Sequence, residues 1–149
     1  MISGVHHFGV TVSNLYNALD FFCNLLGLEL VETREASGER PETILGMAGA
    51  SLRIAVLKTP DGKNLEVIEY VQPEGKQIDL KTCNFGVPHI ALIVSDIQKI
   101  YDELSAKGYV FNSPPYWKGT SVAGSGWGVC FLKGPDGISI ELMQPPKGK

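Results

Sequence analysis

A chain of 149 residues, 44% of them hydrophobic, holds one compact domain or two small modules with a real core. Its formal charge of -3, with acids and bases interspersed, forms no basic stripe, so the phosphate-driven attraction that nucleic-acid binders depend on is excluded. No basic and apolar leader opens the chain and no apolar run reaches membrane-spanning length, which makes the cytoplasm the expected location and a membrane an unexpected partner.

In chain order, Val5 to Val12 alternates as a strand, with His7, Gly9 and Thr11 on one face and Phe8, Val10 and Val12 on the other. His6 falls opposite His7 by the same parity, which gives it a structural role. Asn14 caps a helix whose apolar stripe runs Leu15, Ala18, Leu19, Phe22, Leu25 and Leu26 before Gly27 ends it. A strand over Leu28 to Val31, a polar loop from Glu32 to Thr43, and strands over Leu52 to Leu57 and Leu65 to Val71 around Pro60-Asp61-Gly62 complete a βαβββ module. In the last strand Asn64, Glu66 and Ile68 face away from Leu65 and Val67, whereas Glu69 reads as a solvated charge.

The polar stretch Glu74 to Phe85 reads as a linker, so residues 1–73 form the first module and 86–149 the second. The second repeats the order: strand Pro88 to Val94, helix from Asp96 to Gly108, strand Tyr109 to Asn112, and two strands around Pro135-Asp136-Gly137. Between them, residues 112–128 mix glycines with Tyr116, Trp117 and Trp127, a composition suited equally to a closing flap and to a plain exposed loop. Cys23, Cys83 and Cys130 form no C-x-x-C pair and are expected to be buried free thiols.

The repeat carries ionisable residues as well as apolar rhythm. His7 returns as His89, at an offset of 82, and Glu66 returns as Glu141, at an offset of 75. Core packing does not require this. Two imidazoles and two carboxylates on the uncovered sheet faces form a donor set for a divalent cation, with two octahedral positions left for neighbouring oxygens of a substrate. Two α+β modules that each leave one sheet face bare are expected to pair those faces around a cleft.

His7-x4-Val12-Ser13-Asn14-Leu15 with Phe21-Phe22 and Leu26-Gly27-Leu28, its partner His89-x4-Val94-Ser95-Asp96, and the twin Pro-Asp-Gly-x-x-(Leu/Ile)-Glu segments resemble the vicinal oxygen chelate superfamily. That superfamily includes glyoxalase I, methylmalonyl-CoA epimerase, extradiol dioxygenases, and fosfomycin and bleomycin resistance proteins. The resemblance implies paired βαβββ modules forming a half-open barrel around one divalent metal ion (Ni, Co, Mn, Fe or Zn) held by His7, Glu66, His89 and Glu141. It also implies a small substrate with vicinal oxygens and a homodimer, with the site completed either within the chain or across the dimer. In the resulting chemistry Glu141 or Glu66 serves as base beside a polarised carbonyl.

Glutamate at position 66, where methylmalonyl-CoA epimerases generally carry Gln, favours a glyoxalase I-like lyase or isomerase. The alternatives are an Fe(II)-dependent extradiol-type dioxygenase and a small-molecule-binding resistance protein without catalysis. The former is disfavoured because the only histidine besides His7 and His89 is His6. Glyoxalase I normally has Arg four residues after the first ligand, to grip glutathione. Thr11 stands there in this chain, which leaves Arg34, Arg40 or Lys118 to replace that charge.

Overall fold

A computed structural model describes residues 1–118 and 126–146, in two compact units, Met1–Gln77 and Ile78–Lys149. In the first, β1 (His7–Val12) leads into α1 (Leu15–Leu19), which continues as a π-helical turn over Asp20–Leu25; β2 (Glu29–Ser37), α2 (Glu39–Leu45), β3 (Ser51–Lys58) and β4 (Asn64–Gln72) follow. The sheet order is β1-β4-β3-β2, with β1 parallel to β4 and the other neighbours antiparallel. The second unit has β5 (Ile90–Ile93), α3 (Ile97–Ala106), β6 (Tyr116–Trp117), β7 (Gly128–Lys133) and β8 (Ser139–Gln144). Its order β5-β8-β7-β6, with β5 parallel to β8, repeats the wiring of the first. The chain is therefore α+β, built from two βαβββ modules, as its periodicity predicts.

In each unit the helix covers one sheet face. Alternation along β1, β3 and β4 buries Val10, Val12, Ala55, Leu57, Leu65 and Val67, and the helical stripe adds Leu15, Ala18, Phe21 and Phe22. The second core consists of Ile97, Leu104, Cys130, Leu132, Ile140 and Leu142. Gly27, at φ +77°, supplies the left-handed turn that releases the chain from the helix into β2.

The helix starts are seated in the same way twice. Asn14 accepts from the Asn17 N–H and Asp96 from the Lys99 N–H, as cap residues do. A second orphan donor in each first turn is met from the sheet: Leu15 N–H donates to Glu69 Oε2 at 2.8 Å, and Ile97 N–H donates to Gln144 Oε1 at 2.8 Å. Glu69 also receives Arg53 at 2.9 Å, so it is a helix-seating acceptor and not the solvated charge that strand parity suggested. Gln144→Leu, which strands the Ile97 N–H in a buried setting, is expected to cost about 1–3 kcal/mol, read from the urea unfolding midpoint.

Three further expectations change. The polar stretch 32–43 is not a loop: β2 continues to Ser37 because β3 pairs with it throughout, across a bulge between Leu30 and Glu32, and α2 follows. It looks polar because β2 is an exposed edge strand. Tyr109 to Asn112 forms no strand beyond one bridge from Phe111 to Leu132, and β6 supplies the pairing to β7 instead. Of the thiols, Cys130 is buried and desolvation raises its pKa to about 11; Cys23 is half-buried with its pKa raised by the same cause, and Cys83 is exposed. The proposed flap falls partly on residues 119–125, outside the described residues. No helix among the described residues is long and apolar enough to cross a membrane.

Candidate metal centre

The sheet face opposite each helix carries the candidate ligands. On β1 and β4, Gly9 is the partner of Glu66 and His7 the partner of Asn64, so histidine and glutamate stand diagonally on neighbouring strands. His7 Nε2 is 3.5 Å from Glu66 Oε2. In the second unit His89 immediately precedes β5, Ala91 is the partner of Glu141, and His89 Nε2 is 3.2 Å from Glu141 Oε2. A residue with little or no side chain beside each glutamate thus recurs in both copies. The glutamates are 15% and 17% exposed, whereas the two histidines are each nearly half exposed.

These pairs suit a cation. Two donors bound side by side to one ion at about 2.1 Å stand about 3 Å apart, close to both observed separations. The imidazole nitrogens and carboxylate oxygens are donors that divalent first-row metals accept. Among the described residues no group of three or more His, Cys, Asp or Glu takes up metal-binding geometry; within each unit the candidate donors come as one pair.

The surroundings of the two half-sites differ. In the first, His6, His7, Glu32, Arg34, Val56, Asn64 and Glu66 line a cleft of about 290 Å³. His6 Nδ1 lies 2.8 Å from His7 Nδ1. It is therefore drawn into the site and not to the opposite face, because β1 begins only at His7 and strand alternation does not govern the residue before it. Arg34 Nη2 donates to Glu66 Oε1 at 2.6 Å, and its Nη1 donates to Glu32. Of the three cations named from the sequence, Arg34 is the one that reaches a candidate ligand; Arg40 is exposed on α2, and the Lys118 backbone pairs with Trp127.

Around Glu141 the sheet register sets Ala91 and Phe131 on either side, with Ile93, Met143, Val129 and Tyr116 farther along the same face. The His89 ring meets Phe131 edge to face, with centroids 5.7 Å apart. Lys133 on this face donates to Ser139 Oγ at 3.1 Å. Glu32, Arg34 and His6 are the site residues that sequence reading missed or left unplaced. Period-2 counting from 32 to 36 would have put Glu32 and Arg34 on one face, had that stretch been read as a strand.

A duplicated βαβββ unit bearing one His/Glu pair per copy is what the fold and the repeat define, and comparison with known proteins places it in a family. Residues 4–142 match the family model of the Glyoxalase/Bleomycin resistance protein/Dioxygenase superfamily, and the chain belongs to that superfamily. It is 31% identical to a 2-epi-5-epi-valiolone epimerase from Actinomyces sp, over 97% of this chain and 80% of that protein. It is 32% identical to a probable lactoylglutathione lyase from Synechocystis sp., over 96% of both chains. The crystal structure of a glyoxalase family protein from Bacillus cereus shares the fold with a TM-score of 0.82 at 22% identity, covering 97% of this chain and 95% of that one.

Proposed function

We propose that the chain is a glyoxalase I-like lyase or isomerase that removes a proton from the carbon next to a carbonyl of a small substrate with vicinal oxygens. In this reading His7, Glu66, His89 and Glu141 together hold one divalent cation, Ni, Co, Mn, Fe or Zn, in a homodimer. The observation that carries it is the twofold occurrence of a His Nε2 facing a Glu Oε2 at 3.2–3.5 Å, at corresponding positions of the repeat in the two units. Relatives named as an epimerase and as a lyase support proton transfer beside a carbonyl as the shared chemistry.

When bound, such a cation supplies Lewis acidity that stabilises negative charge developing on oxygen. The chain's own residues do the rest. Glu141 takes the proton and returns it to the same or the neighbouring carbon. It is the better placed of the two glutamates, since among the described residues His89 is its only polar partner, whereas Glu66 is also tied to Arg34. Phe131 and Met143 beside it limit water near the transferred proton. Thr11, in place of the arginine that grips glutathione, supports a substrate without that tripeptide.

Elemental analysis of the purified protein, followed by a metal-reconstituted screen of hemithioacetals, acyl-CoA thioesters, hydroxy ketones and catechols, tests this reading. Bound metal that is lost in both His7→Ala and His89→Ala, together with solvent deuterium entering a substrate carbon, is the expected result. Oxygen uptake with a catechol overturns it in favour of a dioxygenase. Tight retention of a small molecule with no turnover or exchange overturns it in favour of a sequestering protein.

A further inference from the structure

We propose that Arg34 is a positioning residue that fixes Glu66 as a one-oxygen ligand; this rests on the metal-site reading above. The guanidinium takes Glu66 Oε1 at 2.6 Å and leaves Oε2 alone turned toward His7. A free glutamate rotates and can present either oxygen or both to a cation, whereas a carboxylate held on one side by a guanidinium N–H presents one. Such an outer partner conserves the ordering entropy that a cation would otherwise have to overcome, and it selects the geometry of the bound ion.

A positive group beside a cation site would ordinarily oppose binding. Here Glu32 answers it. The same guanidinium donates to Glu32 from its other nitrogen, so the Glu32–Arg34 pair is neutral and Glu66 keeps its charge for the cation. With Arg34 and Glu32 roughly half exposed, the network adds little to folding stability, and its effect is on orientation.

The second unit shows what the arrangement would be without this device. Arg34 is paired with Ile54 on β3, and the corresponding place on β6, paired with Val129 on β7, belongs to Tyr116. Among the described residues no guanidinium reaches Glu141. The duplicated half-sites thus have one clamped carboxylate and one unclamped, a difference invisible in the His/Glu repeat itself.

The test is metal affinity, measured on the full chain by chelator competition with Zn(II) and Co(II), for the parent protein, Arg34→Ala, Arg34→Lys and His7→Ala. Arg34→Ala is expected to weaken both metals by 10–100-fold and to shift the Co(II) visible spectrum as the second glutamate oxygen enters. Arg34→Lys, which keeps a donor without the fork, should recover part of the loss, and the metal-free melting temperature should stay unchanged in both. Parent-like affinity and spectrum in Arg34→Ala overturn the proposal. If His7→Ala also binds as the parent does, the metal-site reading falls with it; if His7→Ala loses metal while Arg34→Ala does not, Arg34's role alone is refuted. A drop in the metal-free melting temperature of Arg34→Ala that accounts for the whole affinity loss, with Arg34→Lys no better, overturns it in favour of a purely structural arginine.

Discussion

Glu141→Gln is expected to lower turnover by about 10²–10⁴-fold, the range a positioned proton-transfer group contributes, while the protein still binds metal. Gln keeps an oxygen donor at the same point of β8 and the same neighbours, Ala91 on β5 and Phe131 on β7, so the half-site is preserved in shape. What it loses is the ability to take a proton. The comparison variant is Glu66→Gln, whose carboxylate is already engaged by Arg34; it is expected to weaken metal binding more than it slows the proton step at saturating metal. Turnover and metal content measured side by side separate the two. Full turnover in Glu141→Gln with full metal content excludes Glu141 as the base.

The largest effect on stability is expected from Phe22→Ala. The Phe22 side chain is fully buried and stacks edge to face on Phe21, with centroids 5.2 Å apart, under the first sheet. Removing it costs about 3–5 kcal/mol through lost transfer energy and the cavity left behind. Both tryptophans, Trp117 and Trp127, belong to the second unit. Far-UV circular dichroism in urea is therefore the right probe, since tryptophan fluorescence reads only the other unit. A cost below about 1 kcal/mol would mean that the first core closes over the gap.

The parts of the fold legible in the sequence are those written in periodicity. Val10 and Val12, Leu65 and Val67, Ile140 and Leu142 alternate because one face is buried, and the pattern declares itself. The helix caps at Asn14 and Asp96 were equally readable, because local chemistry decides them. The edge strand β2 was legible only at its start, in Leu28 to Val31; its continuation from Glu32 to Ser37 was not, since neither face is buried and those residues carry no apolar rhythm, and only pairing to β3 makes them a strand. Of the site, His7, Glu66, His89 and Glu141 could be named because the repeat marks them, and each pair is brought within contact distance inside its unit. Arg34, Glu32 and His6 have no echo in the second half. Glu69 was misread because parity tells which way a side chain points but not which donor waits there.

The position that seats the helix start is glutamate in one half of the molecule and glutamine in the other, with the same 2.8 Å bond to the same amide. The protein thus contains its own control experiment, one in which ancestry has already made the substitution and left the outcome in view. What that position demands is a lone pair at a fixed height above the strand, and charge there is a local accent supplied for Arg53 alone.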